Sequence, residues 1–270
     1  MYDSAMAHAD GSKNIRPDYV DLSDYGRGLA LWIARPLAAT NIRAWHITIV
    51  HFIVMLVAAW FLSRGTLEGY TWSGLLLMVK NILDAADGSL ARLQDRPSRV
   101  GRFLDSNLDF VGNLVYFLAI PGVPLAASLF GFLSFTFQGT VFNYHAVRYR
   151  QEKGGDTTSK VREDPGSPYP YDSPRAVQML YQWYRWMYGW QDALIRRVDR
   201  MLAPDGRLAP PRLMELFSVL GPGFQYVFMM LLLILGIPQL MPDMFIYVFN
   251  IYMVCIMLVR AECGNRIQSA

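Results

Sequence analysis

The sequence contains little cysteine, and its charged residues are confined to segments between long apolar runs. Among its 270 residues are two cysteines, Cys255 and Cys263. One lies within an apolar run and the other near the end of the sequence, so they suggest neither a disulfide framework nor a cysteine-based metal site. Residues 1–24 are polar and lack the apolar stretch and small-residue cleavage site of a secretory signal. We therefore expect the start of the sequence to stay in the cytoplasm.

Apolar residues make up 53% of the sequence, which favours a multi-span membrane protein over one or two soluble domains. We predict an all-α integral membrane bundle of six transmembrane helices, with an N-terminal and an inserted amphipathic interfacial helix. The six apolar stretches are residues 47–62, 70–83, 110–120, 123–144, 214–237 and 245–259. The second and third are short for a bilayer core of about 30 Å. They should therefore continue as helices into the polar segment between Asp84 and Asp109.

The distribution of lysine and arginine predicts the orientation. These residues crowd four segments, 13–35, 92–102, 148–212 and 260–266, whereas three connections carry almost no charge, 65–69, 121–124 and 236–242. Six spans with both ends in the cytoplasm satisfy this alternation. We expect a location in a bacterial-type inner membrane or an equivalent one. In the fifth span, Gly221, Pro222 and Gly223 predict a kink.

The predicted organisation has four parts. They are a polar tail with an interfacial helix (1–40, the helix over 29–37), transmembrane helices one to four (41–145), a cytoplasmic insert (146–212), and the last two helices with a tail (213–270). Within the insert, residues 175–202 show helical periodicity, with three tryptophans and, among other charged residues, Arg185, Arg196, Arg197 and Arg200. This pattern fits an interfacial helix, a helix packed on its own bundle, or a dimer contact. Residues 151–174 are predicted to be loop because they contain the Gly154-Gly155 and Pro165-Gly166 pairs. A phosphate-binding role for Gly154-Gly155 is disfavoured because the Gly-Lys-Ser/Thr pattern is missing.

Four carboxylates flank the polar segment at helical spacing. Asp84 and Asp87 are three residues apart, and Asp105 and Asp109 are four apart, so each pair lies on one face of its helix. At 1.5 Å per residue, Asp84 lies about 12 Å from Arg92, and Asp109 lies about 12 Å from Gly101. An antiparallel hairpin would therefore bring all four to one level, in the cytoplasmic half of the membrane. A solvated polar loop between two short helices is the alternative, but it gives no reason for this spacing.

Four buried charges in one hairpin would cost on the order of 10 kcal/mol unless they are compensated. Lys80 and Arg92 supply at most two positive charges. We therefore predict divalent metal, and specifically Mg²⁺ or Mn²⁺, because we expect no histidine or cysteine among the ligands. Gly88, Ala91 and Gly101 leave space for a flat ligand beside the metal. Arg92 is placed to meet a diphosphate, and Arg96, Arg99 and Arg102 would attract anions or simply mark the cytoplasmic side.

Taken together, Asp84-x-x-Asp87-Gly88-x-x-Ala91-Arg92, eight residues, and Gly101-x-x-x-Asp105-x-x-x-Asp109 resemble the complete signature of the CDP-alcohol phosphotransferase (CDP-alcohol phosphatidyltransferase) family. All eight fixed positions match. The resemblance implies that two divalent ions are bound by Asp84, Asp87, Asp105 and Asp109. It also implies that Asp109 is the catalytic base, and that CDP contacts Gly88, Ala91, Arg92, Gly101 and Thr48.

The resemblance further implies a phospholipid-synthesising enzyme with a cytoplasm-facing site. Its partners would be a CDP-activated lipid or alcohol donor, an alcohol acceptor, membrane lipids and a second copy in a homodimer, with no nucleic acid. The most favoured reaction is transfer of phosphatidyl from CDP-diacylglycerol to a small alcohol, with release of CMP. Many relatives open the first span with Thr-Pro-Asn-x-x-Thr, whereas residues 43–48 keep the final Thr48. Nearby His46 is interpreted as a surface residue or a polar contact near the site.

Three alternatives remain open at this point. The donor and acceptor could be exchanged, with CDP-choline or CDP-ethanolamine reacting with diacylglycerol. A membrane prenyltransferase also holds a diphosphate through aspartate-bound Mg²⁺, but no second acidic cluster follows Asp109 in the sequence. A divalent-cation transporter would place its site near the bilayer midplane, whereas the predicted carboxylates lie towards one face.

Overall fold

The chain folds as an all-helical bundle in a computed structural model that describes residues 18–153, 161 and 163–265, with side chains up to residue 262. Ten main helices are described. They are α1 (Arg27–Ala38), α2 (Ala44–Ser63), α3 (Leu67–Leu93), α4 (Arg99–Leu118), α5 (Leu125–Glu152), α6 (Pro174–Met187), α7 (Gly189–Leu202), α8 (Pro211–Ser218), α9 (Pro222–Ile234) and α10 (Asn250–Asn265). Within these residues there is no β-strand, as predicted. The predicted loop at Gly154-Gly155, most of the N-terminal tail and the side chain of Cys263 lie outside the described residues.

Three of the described helical segments are long and apolar enough to cross a membrane. They are Ala44–Ser63, Leu125–Glu152 and Pro238–Glu262. A fourth is formed if α8 and α9 count as one span, bent by 41° where Gly221 and Pro222 interrupt the helix. This bend confirms the predicted kink. The apolar helices indicate an integral membrane protein. They account for three or four of the six predicted spans.

Helices α3 and α4 have the lengths of membrane spans, but they are more polar than the helices named above. α3 contains 27 residues and α4 contains 20. As predicted, both helices continue beyond their apolar stretches into the polar segment between Asp84 and Asp109. All four aspartates therefore lie on helices. The loop between them spans residues 94–98, and Ser98 caps the start of α4 by accepting a hydrogen bond from the Gly101 backbone N–H at 2.9 Å.

α2 packs along both α3 and α4, the two helices that carry the four aspartates. α3 and α4 run antiparallel, as the Ser73–Tyr116 hydroxyl pair at 2.7 Å shows. They make few close backbone contacts with each other. The predicted hairpin is therefore splayed open, with α2 filling one side of the gap. α9 packs against α3 and places Tyr226 near the same gap.

The segment predicted as a cytoplasmic insert (146–212) contains two helices rather than the single amphipathic helix predicted over residues 175–202. The helix breaks at Tyr188, just before Gly189. α6 runs beside α4, with the Asn107 side chain donating to the Leu180 carbonyl and Tyr188 packing on Phe110. α7 then returns along α5. Both helices therefore pack on their own bundle, which is one of the three predicted possibilities for this segment.

The outer face of this helix pair is apolar as well. Trp183, Trp186 and Trp190 are 57%, 75% and 49% exposed. Trp183 and Trp186 are three residues apart and lie on one side of α6, and Trp190 follows near the start of α7. In α1, Trp32 is likewise exposed, while Ala30 and Ala34 are buried. Both places where the sequence predicts interfacial helices therefore present exposed tryptophan.

A buried ion network anchors α7 to the last helix. The Asp199 carboxylate accepts from Arg148 Nη1 at 2.5 Å and from the Tyr144 hydroxyl at 3.0 Å. Arg260 Nε lies 3.4 Å from the other carboxylate oxygen. The Asp199 and Arg260 side chains are 2% and 1% exposed. Because a buried charge is costly without a partner, this network fixes how α5, α7 and α10 pack.

Candidate active site

The four motif aspartates converge on one place, as the spacing predicts. Their carboxylates surround the ring of His51, a residue of α2 that is completely buried. Nε2 of His51 lies 3.1 Å from Asp105 Oδ1, 3.5 Å from Asp87 Oδ2 and 3.8 Å from Asp84 Oδ1. Its Nδ1 lies 3.8 Å from Asp109 Oδ1. The four carboxylates are therefore within a few ångströms of a single side chain.

His51 corrects the expectation that no histidine lies among the acidic residues. That expectation considered the helices carrying the motif and left out the helix packed between them. His51 is one helical turn after Thr48, a position that the resemblance already places at the site, and residues three apart share a helix face. This spacing is the signal that could have found it. His46, the histidine considered from the sequence, instead accepts a hydrogen bond from the Arg43 backbone N–H at 2.9 Å.

Lys80 supplies the positive charge predicted one turn before Asp84. Its ammonium nitrogen lies 2.7 Å from Asp109 Oδ1 and 3.6 Å from Asp84 Oδ2, and the side chain is 1% exposed. It also lies 5.3 Å from the centre of the Tyr226 ring, within reach of a cation–π interaction. Lys80 offsets one of the four negative charges. Even if His51 were protonated, two negative charges would remain uncompensated by these groups.

The donor set fits a divalent cation. One potential ligand atom from each of four side chains lies within 4.8 Å of the others: His51, Asp84, Asp87 and Asp105. Nδ1 of His51 is buried and makes no hydrogen bond within the described part of the chain. The Thr48 hydroxyl donates to Asp87 Oδ2 at 2.7 Å and fixes that carboxylate. Oxygen ligands with one imidazole are compatible with Mg²⁺, Mn²⁺ or a divalent ion later in the first transition-metal row, such as Co²⁺.

A cavity of about 1210 Å³ adjoins the cluster. The residues predicted to bind CDP all line it: Thr48, Gly88, Ala91, Arg92 and Gly101. The Arg92 guanidinium folds over Gly88, where an added Cβ would meet Nη1 at 3.5 Å, and its Nη2 donates to Ser89 Oγ at 3.2 Å. An added Cβ at Gly88 would make only an ordinary van der Waals contact with this guanidinium, which lies at the edge of the cavity.

The three arginines of the polar segment also line this cavity, but they differ in their partners. Arg102 forms an ion pair with Glu163, which ties the insert to α4. The backbone N–H of Arg99 donates to Asp172 Oδ2 at 2.7 Å, and Asp172 also accepts from Ser98 Oγ at 2.7 Å. A carboxylate at this position complements the positive end of α4. Structural contacts therefore hold this rim in place.

Helices α6 and α7 add a wall to the cavity that the motif does not predict. Tyr184, Tyr188 and Asp192 all line it. The Tyr184 hydroxyl donates to Asp192 Oδ2 at 3.0 Å. Burial raises the pKa of Asp192 to about 6, with a smaller opposing effect from the Tyr184 hydrogen bond. Burial likewise raises the pKa of Tyr188, which keeps its phenol neutral.

Two comparisons with known proteins support the interpretation of this cluster as an active site. Residues 41–166 match the CDP-alcohol phosphatidyltransferase family. Over 93 residues the chain is 32% identical to the archaetidylinositol phosphate synthase of Pyrococcus horikoshii, a match that covers 34% of this chain and 48% of that protein. The chain thus spans about half the length of this curated relative. The aspartate motif lies within residues 41–166, the segment that is similar to this family.

Proposed function

We propose that this protein is an integral membrane phosphotransferase of phospholipid biosynthesis, which moves a substituted phosphate group from a CDP-activated donor to an alcohol and releases CMP. The observation that carries the proposal is the convergence of Asp84, Asp87, Asp105 and Asp109 beside a cavity lined by the other signature residues. A membrane prenyltransferase is disfavoured because no second acidic cluster follows Asp109 in the sequence. A cation transporter is disfavoured because the carboxylates adjoin a cavity lined by small residues and Arg92.

The metal site would consist of the four aspartates, with two Mg²⁺ or Mn²⁺ ions as the proposed cofactors. Bound divalent ions neutralise charge on the attacking and leaving oxygens of phosphoryl-type transfer. Thr48 holds Asp87 in place through its 2.7 Å hydrogen bond. Arg92, at the cavity edge, is placed to contact the diphosphate, while Gly88, Ala91 and Gly101 leave room for the nucleotide.

Asp109 is the proposed base. In the reaction, the acceptor oxygen forms a bond to the transferred phosphorus, the bond between that phosphorus and the CMP oxygen breaks, and the hydroxyl proton passes to a carboxylate. Lys80 occupies Asp109 Oδ1 at 2.7 Å, so Oδ2 is the oxygen that would take the proton. The ion pair with Lys80 places a positive charge beside the proposed base.

The preferred donor is CDP-diacylglycerol or a related CDP-lipid, and the preferred acceptor is a small polar alcohol or its phosphate. This preference follows the family rather than a residue of the cavity. The name of the Pyrococcus relative refers to inositol phosphate, which makes inositol phosphate one acceptor to examine. The arginines of the cavity rim are compatible with an anionic substrate.

We further propose that α3 and α4 complete a six-span bundle with both ends in the cytoplasm and the cavity on the cytoplasmic side. The lengths of the two helices and the arginine-rich loops support this placement. Their aspartates would then lie in the cytoplasmic half of the membrane, where water and nucleotide can enter. A homodimer is proposed on family grounds.

A substrate screen tests this function. Purified protein in detergent is incubated with Mg²⁺ or Mn²⁺ and one donor at a time, and CMP and lipid products are measured by mass spectrometry. CDP-diacylglycerol with a small alcohol or inositol phosphate should give CMP and a phospholipid. CMP release with CDP-choline and diacylglycerol instead would reverse the donor assignment. Absence of CMP with every donor, from folded protein, would contradict the proposal.

A further inference from the structure

His51 lies outside the aspartate motif of residues 84–109. It belongs to α2, before the motif begins, and its ring is the group that the four motif carboxylates share. The side chain is 0% exposed, and Nδ1 has no hydrogen-bond partner within the described residues. Buried polar nitrogens without partners are uncommon, because desolvation costs about 1 to 3 kcal/mol. The orphaned nitrogen therefore calls for a physical explanation.

The distances around Nε2 match those between ligands of one metal ion. In an octahedral site with ligands about 2.1 Å from the metal, neighbouring ligand atoms lie about 3.0 Å apart and opposite ones about 4.2 Å apart. Nε2 lies 3.1, 3.5 and 3.8 Å from oxygens of Asp105, Asp87 and Asp84. All three values fall within that range. A hydrogen bond alone accounts for the shortest of them and leaves the other two unexplained.

The other ring nitrogen completes the arrangement. When Nε2 binds a metal ion, Nδ1 carries the proton, and metal-bound histidines commonly direct this N–H towards a carboxylate or carbonyl. Asp109 Oδ1 lies 3.8 Å from Nδ1 and is a carboxylate oxygen on that side of the ring. Asp109 is itself held by Lys80 at 2.7 Å. The ring thus lies between a group of three carboxylates and the carboxylate of the proposed base.

We propose that His51 is a nitrogen ligand to one of the divalent ions, so that this metal position has mixed nitrogen and oxygen donors. The inference rests on the proposed function, since it concerns the same metal site. Imidazole favours later divalent ions over Mg²⁺ more strongly than carboxylate does. His51 therefore raises the affinity for Co²⁺ relative to Mg²⁺. It also fixes one end of the site to α2, the helix that packs along both α3 and α4.

The test detects the metal–nitrogen bond directly and does not depend on enzyme activity. Mn²⁺ is added to protein in detergent, and pulsed electron paramagnetic resonance detects directly bound nitrogen. Wild-type protein should show a ¹⁴N coupling that becomes a ¹⁵N coupling when histidine is labelled with ¹⁵N. His51→Gln should lose the coupling. His46→Gln is the matched control, because His46 lies on the same helix and contacts the Arg43 backbone instead, and it should keep the coupling.

A second variant keeps the inference testable even if His51→Gln does not fold. The sequence contains four histidines, so the triple variant His8→Gln, His46→Gln, His145→Gln leaves His51 alone, and it should retain the full ¹⁵N-dependent coupling. Loss of the signal in this folded variant would overturn the inference. In a titration, His51→Gln should weaken Co²⁺ binding on the order of tenfold or more and Mg²⁺ binding by less.

The outcomes separate this inference from the proposed function. If Mn²⁺ binds, Asp105→Asn abolishes binding, and no nitrogen coupling is seen in wild-type protein, the ligand role of His51 is wrong while the carboxylate site stands. If folded wild-type protein neither binds Mn²⁺ nor releases CMP, both are wrong. Nitrogen coupling without CMP release would support His51 as a ligand and contradict the transferase.

Discussion

The ammonium group of Lys80 lies 2.7 Å from Asp109 Oδ1, in a position that is 1% exposed. This lysine is on α3 and the aspartate is on α4, two helices that make few close contacts with each other. The ion pair therefore bridges the open side of the hairpin and lowers the repulsion among the carboxylates. It also gives the site a permanent positive charge beside the proposed base.

Lys80→Met should make the stability of the protein depend on divalent ions. Removing one partner of a buried ion pair costs about 3 to 5 kcal/mol, because the other charge stays buried. In EDTA, the thermal midpoint of Lys80→Met should fall well below that of the wild type. Millimolar Mg²⁺ should recover more of the midpoint for the variant than for the wild type.

Lys153→Met is the control for this experiment. Lys153 pairs with Asp18 at 3.0 Å, but the two side chains are 48% and 59% exposed. Such a surface pair contributes at most about 1 kcal/mol. Its loss should leave the midpoint nearly unchanged with and without Mg²⁺. Equal midpoints of Lys80→Met and wild type in EDTA would show that Lys80 does not compensate the cluster.

Thr48→Val should weaken metal binding while leaving the fold intact. The Thr48 hydroxyl donates to Asp87 Oδ2 at 2.7 Å, and valine has the same shape without the donor. Loss of a group that orients a metal ligand typically lowers affinity about 10- to 100-fold. Mn²⁺ affinity measured by electron paramagnetic resonance should show this decrease. Thr48→Ser keeps the hydroxyl and should bind Mn²⁺ almost as the wild type does, so equal weakening in both variants would rule out the hydrogen bond as the cause.

Asp199→Ala should destabilise the packing of α7 against α5 and α10. The substitution leaves Arg260, 1% exposed, and Arg148 without their shared carboxylate. The expected loss is about 3 to 5 kcal/mol of unfolding free energy, seen as a lower thermal midpoint. Asp205→Ala removes the partner of Arg207, whose side chain is 52% exposed, and should change the midpoint little. A midpoint for Asp199→Ala equal to that of the control would contradict the structural role of the network.

Asp192 should make stability depend on pH between about 4 and 6. Burial raises its pKa from 3.8 to about 6, so the folded state binds the carboxyl proton more tightly than the unfolded state does. This contribution is complete below pH 4 and is lost as the pH rises through 6, with a difference of at most about 3 kcal/mol. Asp192→Asn stays neutral and keeps a hydrogen-bond acceptor for Tyr184. Relative to wild type it should therefore gain stability from pH 4 to 6.

Thermal midpoints of wild type and Asp192→Asn at pH 4, 5, 6 and 7 check this prediction. The difference between the two proteins should grow up to about pH 6 and then level off. Asp205→Asn, at an exposed position, should show no such growth. A constant difference between Asp192→Asn and wild type over the whole range would mean that Asp192 has an ordinary pKa in the folded protein.

The sequence was informative where local periodicity decides the outcome. The spacing of Asp84, Asp87, Asp105 and Asp109 predicted two helices and one meeting point, and both are present. The kink near Pro222 also followed from local chemistry, because proline cannot continue the hydrogen-bond ladder of the preceding turn.

Features that depend on packing between distant helices were not predicted. His51 reaches the carboxylates because α2 fills the gap between α3 and α4, and a hairpin considered alone has no such gap. The break at Tyr188 follows from tertiary packing, since this ring lies on Phe110 while the next helix turns back along α5. Periodicity continues through the break, so the pattern alone indicates one helix.

Metal-dependent CMP release by single-aspartate variants tests the central claim most directly. Wild-type protein, Asp105→Asn and the control Asp205→Asn are purified in parallel, and CMP release from CDP-diacylglycerol is measured with an acceptor found in the substrate screen, with Mg²⁺ and with EDTA. We predict that release requires the metal, persists in Asp205→Asn and falls at least about 100-fold in Asp105→Asn. Full activity of Asp105→Asn, or undiminished release in EDTA, would contradict the account.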